Sequence, residues 1–344
     1  MARIIYGVMG DSGGHINRSL AVAREMDEHE FLFVGGGRVL EAERHGYRYS
    51  SLPMISTVLR DNRVHVTGTV ANFGHIILGY QKIVAGLCRQ IEEFKPDLAI
   101  TDYEFFLPKA ARQCGLHCIS LDHQHSITNT VHTPPSEQTV SRLITTGIIK
   151  ALFSCADKYV VSSFFSLPGK DNTTVVPPIL HRDVLEVAPS EGSHVLVYMR
   201  SGVGKNLLQG LQSTGRTCRI YGTQETGSQG DLHFMPPSRE GFLTDLAASA
   251  YVICNGGHTL TSEALHLGKP VLALPTELFY EQFLNAHFLK KLGYGDFTNA
   301  HEENNVALCH FDKHHNKHRK ILAEKNFFGN TVIADTIRSL ADSY

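Results

Sequence analysis

Apolar residues along this chain fall into short, largely apolar runs, separated by stretches in which they recur every third or fourth position. In the first half the runs are residues 4–9, 31–35, 47–52, 98–101, 118–121 and 159–162. Short apolar runs of this kind are the mark of strands covered on both faces. Residues 17–28, 79–94 and 108–113 between them carry helical periodicity. The alternation predicts an α/β protein in which helices cover both faces of a parallel sheet. A second series, 195–198, 217–221, 232–235, 251–254 and 271–274, begins after a polar break at 189–193. Two doubly wound, Rossmann-like domains facing each other across a cleft are therefore expected. We divide the chain into a first domain at 1–164, a linker at 165–190 and a second domain at 191–325. Residues 326–344 are expected to form a helix that packs back on the first domain.

Composition narrows the function classes. A chain of 344 residues can bury two independent cores. Its net charge of −2 leaves no basic footprint, so no nucleic-acid partner is expected. Its seven cysteines are scattered at Cys88, Cys114, Cys118, Cys155, Cys218, Cys254 and Cys309, with no C-x-x-C pair. That is the usage of reduced thiols, and it points to the cytoplasm. The apolar run after Arg3 is too short for a signal peptide and enters the glycines at 10–14, so it reads as the first strand. No run reaches the length of about 18 apolar residues that a membrane span needs. Peripheral membrane contact stays open through 53–80, which mixes Arg60, Arg63, His65 and His75 with apolar residues.

Two glycine turns carry the chemistry. Gly13, Gly14 and His15 follow the first strand, and Asn255, Gly256, Gly257, His258 and Thr259 follow a strand of the second series. A glycine turn at a helix start brings unpaired N–H groups and a positive dipole end against an anion, usually a phosphate. Glu263 lies four residues after Thr259, so both share one helix face, where a phosphate and then a ribose hydroxyl could be met in turn. A tight turn with a capping threonine and a solvated glutamate would leave the same pattern. Glu277, Glu281 and Gln282 follow the next strand, at the sheet edge where open α/β folds bind ligands, and suit the hydroxyls of a sugar. Phe279, Phe283, Phe288 and Leu292 read as the buried stripe of the helix there.

These segments resemble those of GT-B fold, nucleotide-sugar-dependent glycosyltransferases, above all the UDP-glycosyltransferases and the peptidoglycan N-acetylglucosaminyltransferase. Gly14, His15, Ile16 and Asn17 are similar to the family's G-H-x-N segment, which implies that His15 is the catalytic histidine. The stretch from Asn255 to Glu263 is similar to the motif whose helix start binds diphosphate and whose glutamate binds ribose. Glu281 and Gln282 resemble the pair that holds the donor sugar, and Asp102 falls where the histidine's aspartate partner is found. The resemblance implies an acceptor-binding domain at 1–164, with 53–80 the candidate for acceptor recognition, and a donor-binding domain at 191–325. Asn255 stands where plant-type relatives have histidine, and His258 where they have tryptophan, so stacking of a base on that tryptophan is not implied.

Chemistry gives His15 its own argument, because glycosyl transfer needs a base for the acceptor hydroxyl. Asp102 would fix its tautomer, unless it only caps the following helix. Glu104 is the fallback base or partner. Arg200 and Ser201 end the first strand of the second series and could meet the diphosphate, and Phe234 and Met235 could flank the base. No D-x-D occurs, and the histidines at 123, 125, 314, 315 and 318 have no metal-ligand spacing, so no metal and no cofactor are expected beside a UDP-sugar co-substrate. His123 and His125 are expected to line the cleft instead. The expected function is inverting, metal-independent transfer of a sugar to a hydroxyl on a carbohydrate, lipid-linked or small-molecule acceptor. A nucleotide-sugar epimerase or hydrolase on the same fold, and a non-catalytic nucleotide-sugar sensor, are the alternatives.

Overall fold

A computed structural model describes residues 1–11, 13–54, 59–60, 63–64, 66–199, 202–298 and 305–342. The first half runs β1 (Arg3–Val8), α1 (Gly13–Glu25), β2 (Glu30–Gly35), α2 (Glu41–Arg44) and β3 (Arg48–Ser51). A two-strand ribbon, β4 (Leu59–Arg60) and β5 (Arg63–Val64), leads into the long α3 (Val66–Phe94). Then come β6 (Leu98–Asp102), α4 (Leu107–Gln113), β7 (Cys118–Asp122), α5 (Thr139–Ile148), β8 (Lys158–Ser162) and β9 (Thr173–Val176). The second half runs α6 (Arg182–Leu185), β10 (Val195–Tyr198), α7 (Lys205–Ser213), β11 (Cys218–Tyr221), β12 (Gly227–Gln229) and β13 (Leu232–Phe234). It continues with α8 (Arg239–Ala247), β14 (Tyr251–Cys254), α9 (His258–His266), β15 (Val271–Ala273), α10 (Tyr280–Leu292) and β16 (Gly295–Phe297). Two helices, α11 (Asn305–Leu322) and α12 (Asn330–Ala341), follow.

Each half is built on one seven-stranded sheet, with orders β3-β2-β1-β6-β7-β8-β9 and β12-β13-β11-β10-β14-β15-β16. All neighbours are parallel except β12 and β13. In both sheets the strand order reverses beside the first strand, which opens a crevice at the C-terminal ends of β1 and β6, and of β10 and β14. Register brings Val8 opposite Asp102 and Tyr198 opposite Cys254. The loops that leave those strands are therefore neighbours in space although far apart in the chain.

Four apolar cores hold these layers. On one face of the first sheet Tyr6, Phe33, Ile16 and Leu20 pack with Ile333 and Ile337 of α12. Arg338 of that helix also pairs with Glu28 at 2.8 Å. The other face is covered by α3 and α4. In the second sheet one core joins Val197 and Ile253 to Leu207 and Phe311. Its opposite core runs on into the first half, where Phe165 stacks on Phe288 with ring centroids 4.1 Å apart.

The segment 165–190, expected as a linker, instead contributes β9, which pairs with β8 through Tyr159 and Thr173. Its β-branched run sits between Pro168-Gly169 and Pro177-Pro178, turn signals that masked a four-residue edge strand. Helix α3 starts at Val66 rather than near 79, and the three-residue β16 gives no periodic signal at all. Among the described residues no helix is long and apolar enough to cross a membrane.

Candidate active site

A cleft of about 710 Å³ lies between the two sheets' C-terminal edges. The first half lines it with Gly13, Gly14, His15, Arg18 and Gln124, the second with Gly257, His258, Thr259, Glu263, Glu281 and Gln282. Helices α1 and α9 thus point their N-termini into the same space. No side chain caps the start of α9 at Gly257, so its first N–H groups are offered to the cleft. Gly256 makes the turn possible with φ +79°, and a Cβ there would lie 3.1 Å from the Gln282 carbonyl. It does not itself line the cleft; its carbonyl accepts from Asn285 Nδ2 at 2.9 Å.

His15 is nearly buried, and its Nδ1 lies 2.8 Å from Oδ1 of the wholly buried Asp102. The two meet because β1 and β6 are adjacent in register. Glu104 does neither job expected of it. Its Oε2 accepts the N–H groups of Phe106 and Leu107 at 2.8 and 2.6 Å, so it caps α4 from a buried position. Burial also pushes its carboxyl up. The sequence reading missed Arg18, whose Nε and Nη2 donate to both Asp102 oxygens at 2.8 and 2.5 Å. Its signal was present: an arginine three residues after His15, inside the apolar stripe of α1 between Ile16 and Leu20.

Across the cleft, Glu263 is buried and accepts from Arg239 Nη2 at 3.1 Å. Burial pushes its carboxyl up, against the pull of Arg239. Glu281 accepts from Gln124 Nε2 of the first half at 3.1 Å, and Gln282 Oε1 accepts the Thr276 N–H at 2.8 Å. Met235 lines the cleft, but Phe234 does not; it is buried among the apolar residues beneath the second sheet because strand residues alternate faces. Arg200 and Ser201 lie outside the described residues.

His123 and His125 are buried and do not line the cleft; Gln124 between them does. His125 pairs with Asp122 at 2.7 Å. Burial opposes the Asp122 charge, but His125 and the Ser120 hydroxyl outweigh it and hold the carboxyl well below its usual range. His123 reaches the other half. Its ring lies flat on that of His258, with centroids 3.9 Å apart and planes 6° from parallel. Its Nε2 lies 2.7 Å from Asn285 Oδ1. Burial pushes the His258 imidazole well below its ordinary range, and His123, Arg18 and His15 add to that.

The far end of the cleft is apolar, formed by Ile127, Ile144, Ile148 and Leu278 and by Phe153 in the π-helical turn after α5. Of 53–80, the segment expected to receive an acceptor, residues 53, 54, 74, 76 and 78–80 do not line it; Arg60, Arg63, His65 and His75 lie among the residues whose side chains are not described. Phe279 precedes α10 and faces the cleft, while Phe283 and Phe288 form the buried stripe and Leu292 is partly exposed. Among the described residues no group of three or more His, Cys, Asp or Glu is placed to hold a metal.

The model of the family described as glycosyl transferase family 1 matches residues 2–314. A glycosyltransferase of Methanosarcina acetivorans is 25% identical over 335 residues, covering 85% of this chain and 84% of its own. Over 114 residues, 31% of this chain and 26% of the other, a PGL/p-HBAD biosynthesis glycosyltransferase of Mycobacterium tuberculosis is 31% identical. Among solved structures, Phytolacca americana UGT2, complexed with UDP-2-fluoro-glucose and pterostilbene, superposes with a TM-score of 0.69 at 14% identity, covering 99% and 100% of the two chains. Acinetobacter baumannii MurG does so with 0.63 at 13%, covering 98% and 100%. Both likenesses are of fold, and that fold is GT-B.

Proposed function

The chain belongs to glycosyl transferase family 1 and is a glycosyltransferase, and from that premise we propose that it moves a sugar from a UDP-sugar to a hydroxyl acceptor, with inversion and without a metal. One observation carries the proposal: the buried His15–Asp102 pair faces the uncapped start of α9 across a single cleft. In this reading the N–H groups at His258 and Thr259 and the helix dipole stabilise the departing diphosphate. Glu263 accepts from the ribose hydroxyls, and Glu281 and Gln282 meet the sugar. Thr259, Gly257 and Met235 complete the donor side.

Asp102 accepts from Nδ1, which leaves Nε2 of His15 for the cleft. That nitrogen takes the proton of the acceptor hydroxyl as its oxygen attacks the anomeric carbon from the face opposite the diphosphate. One displacement without a covalent intermediate inverts the configuration. The apolar end by Ile144 and Phe153 suits an acceptor with apolar surface beside its hydroxyl. Reduced cysteines fit a cytoplasmic setting.

The test is a panel of nucleotide sugars offered with carbohydrate, lipid-linked and small phenolic acceptors, followed by determination of the product's anomeric configuration with chelator present. Inverted product formed equally well with chelator is expected. Retained configuration, or activity that returns only with added metal, overturns the mechanism. Complete consumption of donor without acceptor points to the hydrolase or epimerase.

A further inference from the structure

The Asp102 carboxylate has no solvent exposure, and a buried anion must be balanced or it takes up a proton. Four donors surround it. Oδ1 has Arg18 Nη2 at 2.5 Å and His15 Nδ1 at 2.8 Å; Oδ2 has Arg18 Nε at 2.8 Å and the Ser19 hydroxyl at 3.3 Å. That fills the acceptor capacity of an ionised carboxylate. Arg18 Nη2 and His15 Nδ1 are also 2.8 Å apart: in one tautomer Nδ1 accepts from the guanidinium, in the other it stands beside it as a second donor to Oδ1.

We infer that Arg18 is a positioning residue which, by taking the whole charge of Asp102, keeps His15 neutral with Nδ1 protonated and Nε2 bare toward the cleft. The inference rests on the reading of His15 as the base. An aspartate–histidine pair walled off from water would otherwise balance itself by protonating the imidazole, and a protonated imidazole cannot accept a proton. With Arg18 present the three side chains sum to no net charge while the ring stays neutral.

Other groups near the trio do not supply that balance. Asp122, beyond β6, is already paired with His125. Glu281 on α10 is engaged by Gln124, and the cation it lies near is Arg18 itself. His258 on α9 and His123 after β7 are both pushed toward the neutral form, chiefly by burial. Burial pushes the Tyr6 hydroxyl on β1 up, so it stays protonated. Burial works against the Arg18 charge, and Asp102 outweighs it, so the guanidinium is held above its ordinary value. Asp11, before α1, also lines the cleft.

The experiment reads side-chain nitrogens by NMR on the full chain, labelled at histidine, near neutral pH and without ligand. The His15 signals are assigned by their loss in His15→Gln. Wild type is expected to show Nδ1 protonated and Nε2 bare; the opposite tautomer, with Nδ1 accepting from Arg18, overturns the inference. Arg18→Met is expected to protonate both, and Arg18→Met combined with Asp102→Asn to restore the neutral ring, because the charge to be balanced is gone. A merely structural role for Arg18 would make the double variant no better than the single one. A neutral His15 in Arg18→Met overturns the inference. Should that variant fail to fold, Arg18→Lys decides: the ammonium keeps the charge, and a protonated ring there overturns the inference equally. If the spectra come out as expected and His15→Ala still transfers sugar at the wild-type rate, the role of His15 as base fails while Arg18's hold on the ring stands.

Discussion

The two glycine turns are alike in sequence and opposite in chemistry. Gly13-Gly14-His15 and Gly256-Gly257-His258 both follow a central strand, both put a histidine in the first turn of a helix, and both histidines are buried. What separates them is the neighbouring strand. Beside β1 lies β6, which ends in Asp102; beside β14 lies β15, whose exit is Leu274. His15 therefore has a carboxylate and a guanidinium at its Nδ1, while His258 has the flat face of His123 and a Ser262 hydroxyl at 3.4 Å. In the proposed mechanism one turn moves a proton, and the other keeps a helix start uncharged while its N–H groups meet an anion. A local motif sets where a histidine stands, and the strand next door decides what it can do.

The hardest way to break that contrast is to truncate each histidine. His15→Ala is expected to lower sugar transfer roughly 10²–10⁴-fold, the usual contribution of a positioned base, with UDP affinity by calorimetry close to wild type. His258→Ala should weaken UDP binding more than it slows turnover at saturating donor. Equal losses of turnover in both would erase the distinction. Glu263→Ala comes next: losing a hydrogen bond from a charged group costs about 1.5–3 kcal/mol, so UDP should bind some tenfold to a hundredfold more weakly. An unchanged calorimetric titration would take ribose recognition away from this residue.

Acid sharpens the contrast from the other side. Unfolding lets His258 and His123 take up protons that burial, chiefly, denies them in the folded chain. Below about pH 6.5 the unfolded chain binds more protons, so each such ring lowers stability by up to about 1.4 kcal/mol per pH unit as the pH falls toward its depressed folded value. Urea midpoints should drop on acidification, and His258→Gln should flatten that slope; a slope unchanged by the substitution would mean that the stacked pair is not its source. The smallest effect is expected at Glu281, where Glu281→Ala should cost about 0.5–1.5 kcal/mol for a UDP-sugar and nothing measurable for UDP. Equal losses for both ligands would remove it from the sugar subsite.

Much of this was legible in the chain. Runs at 4–9, 98–101 and 251–254 correspond to β1, β6 and β14 because strand burial leaves a local trace, and glycines mark both turns, Gly256 with a positive φ. What stayed illegible depends on pairing. Phe234 and Met235 look equivalent, yet strand alternation sends one into the core and the other to the cleft. Asp102 ends β6 and meets His15 from the neighbouring strand's exit, whereas Glu104, two positions on, turns to cap α4. The Gln124–Glu281 and His123–Asn285 contacts join residues more than 150 positions apart, and no local pattern encodes them.

The position of α12 has a consequence for how the molecule is made. Ile333, Ala334 and Ile337 complete the core over β1, yet they are synthesised some three hundred residues after it. During translation the first sheet must wait with that face covered by α1 but not by α12. Long-range closure of this kind slows folding and leaves apolar surface open to the wrong neighbours. A nascent chain halted after α11 would have its second half finished and its first half still short of its last helix.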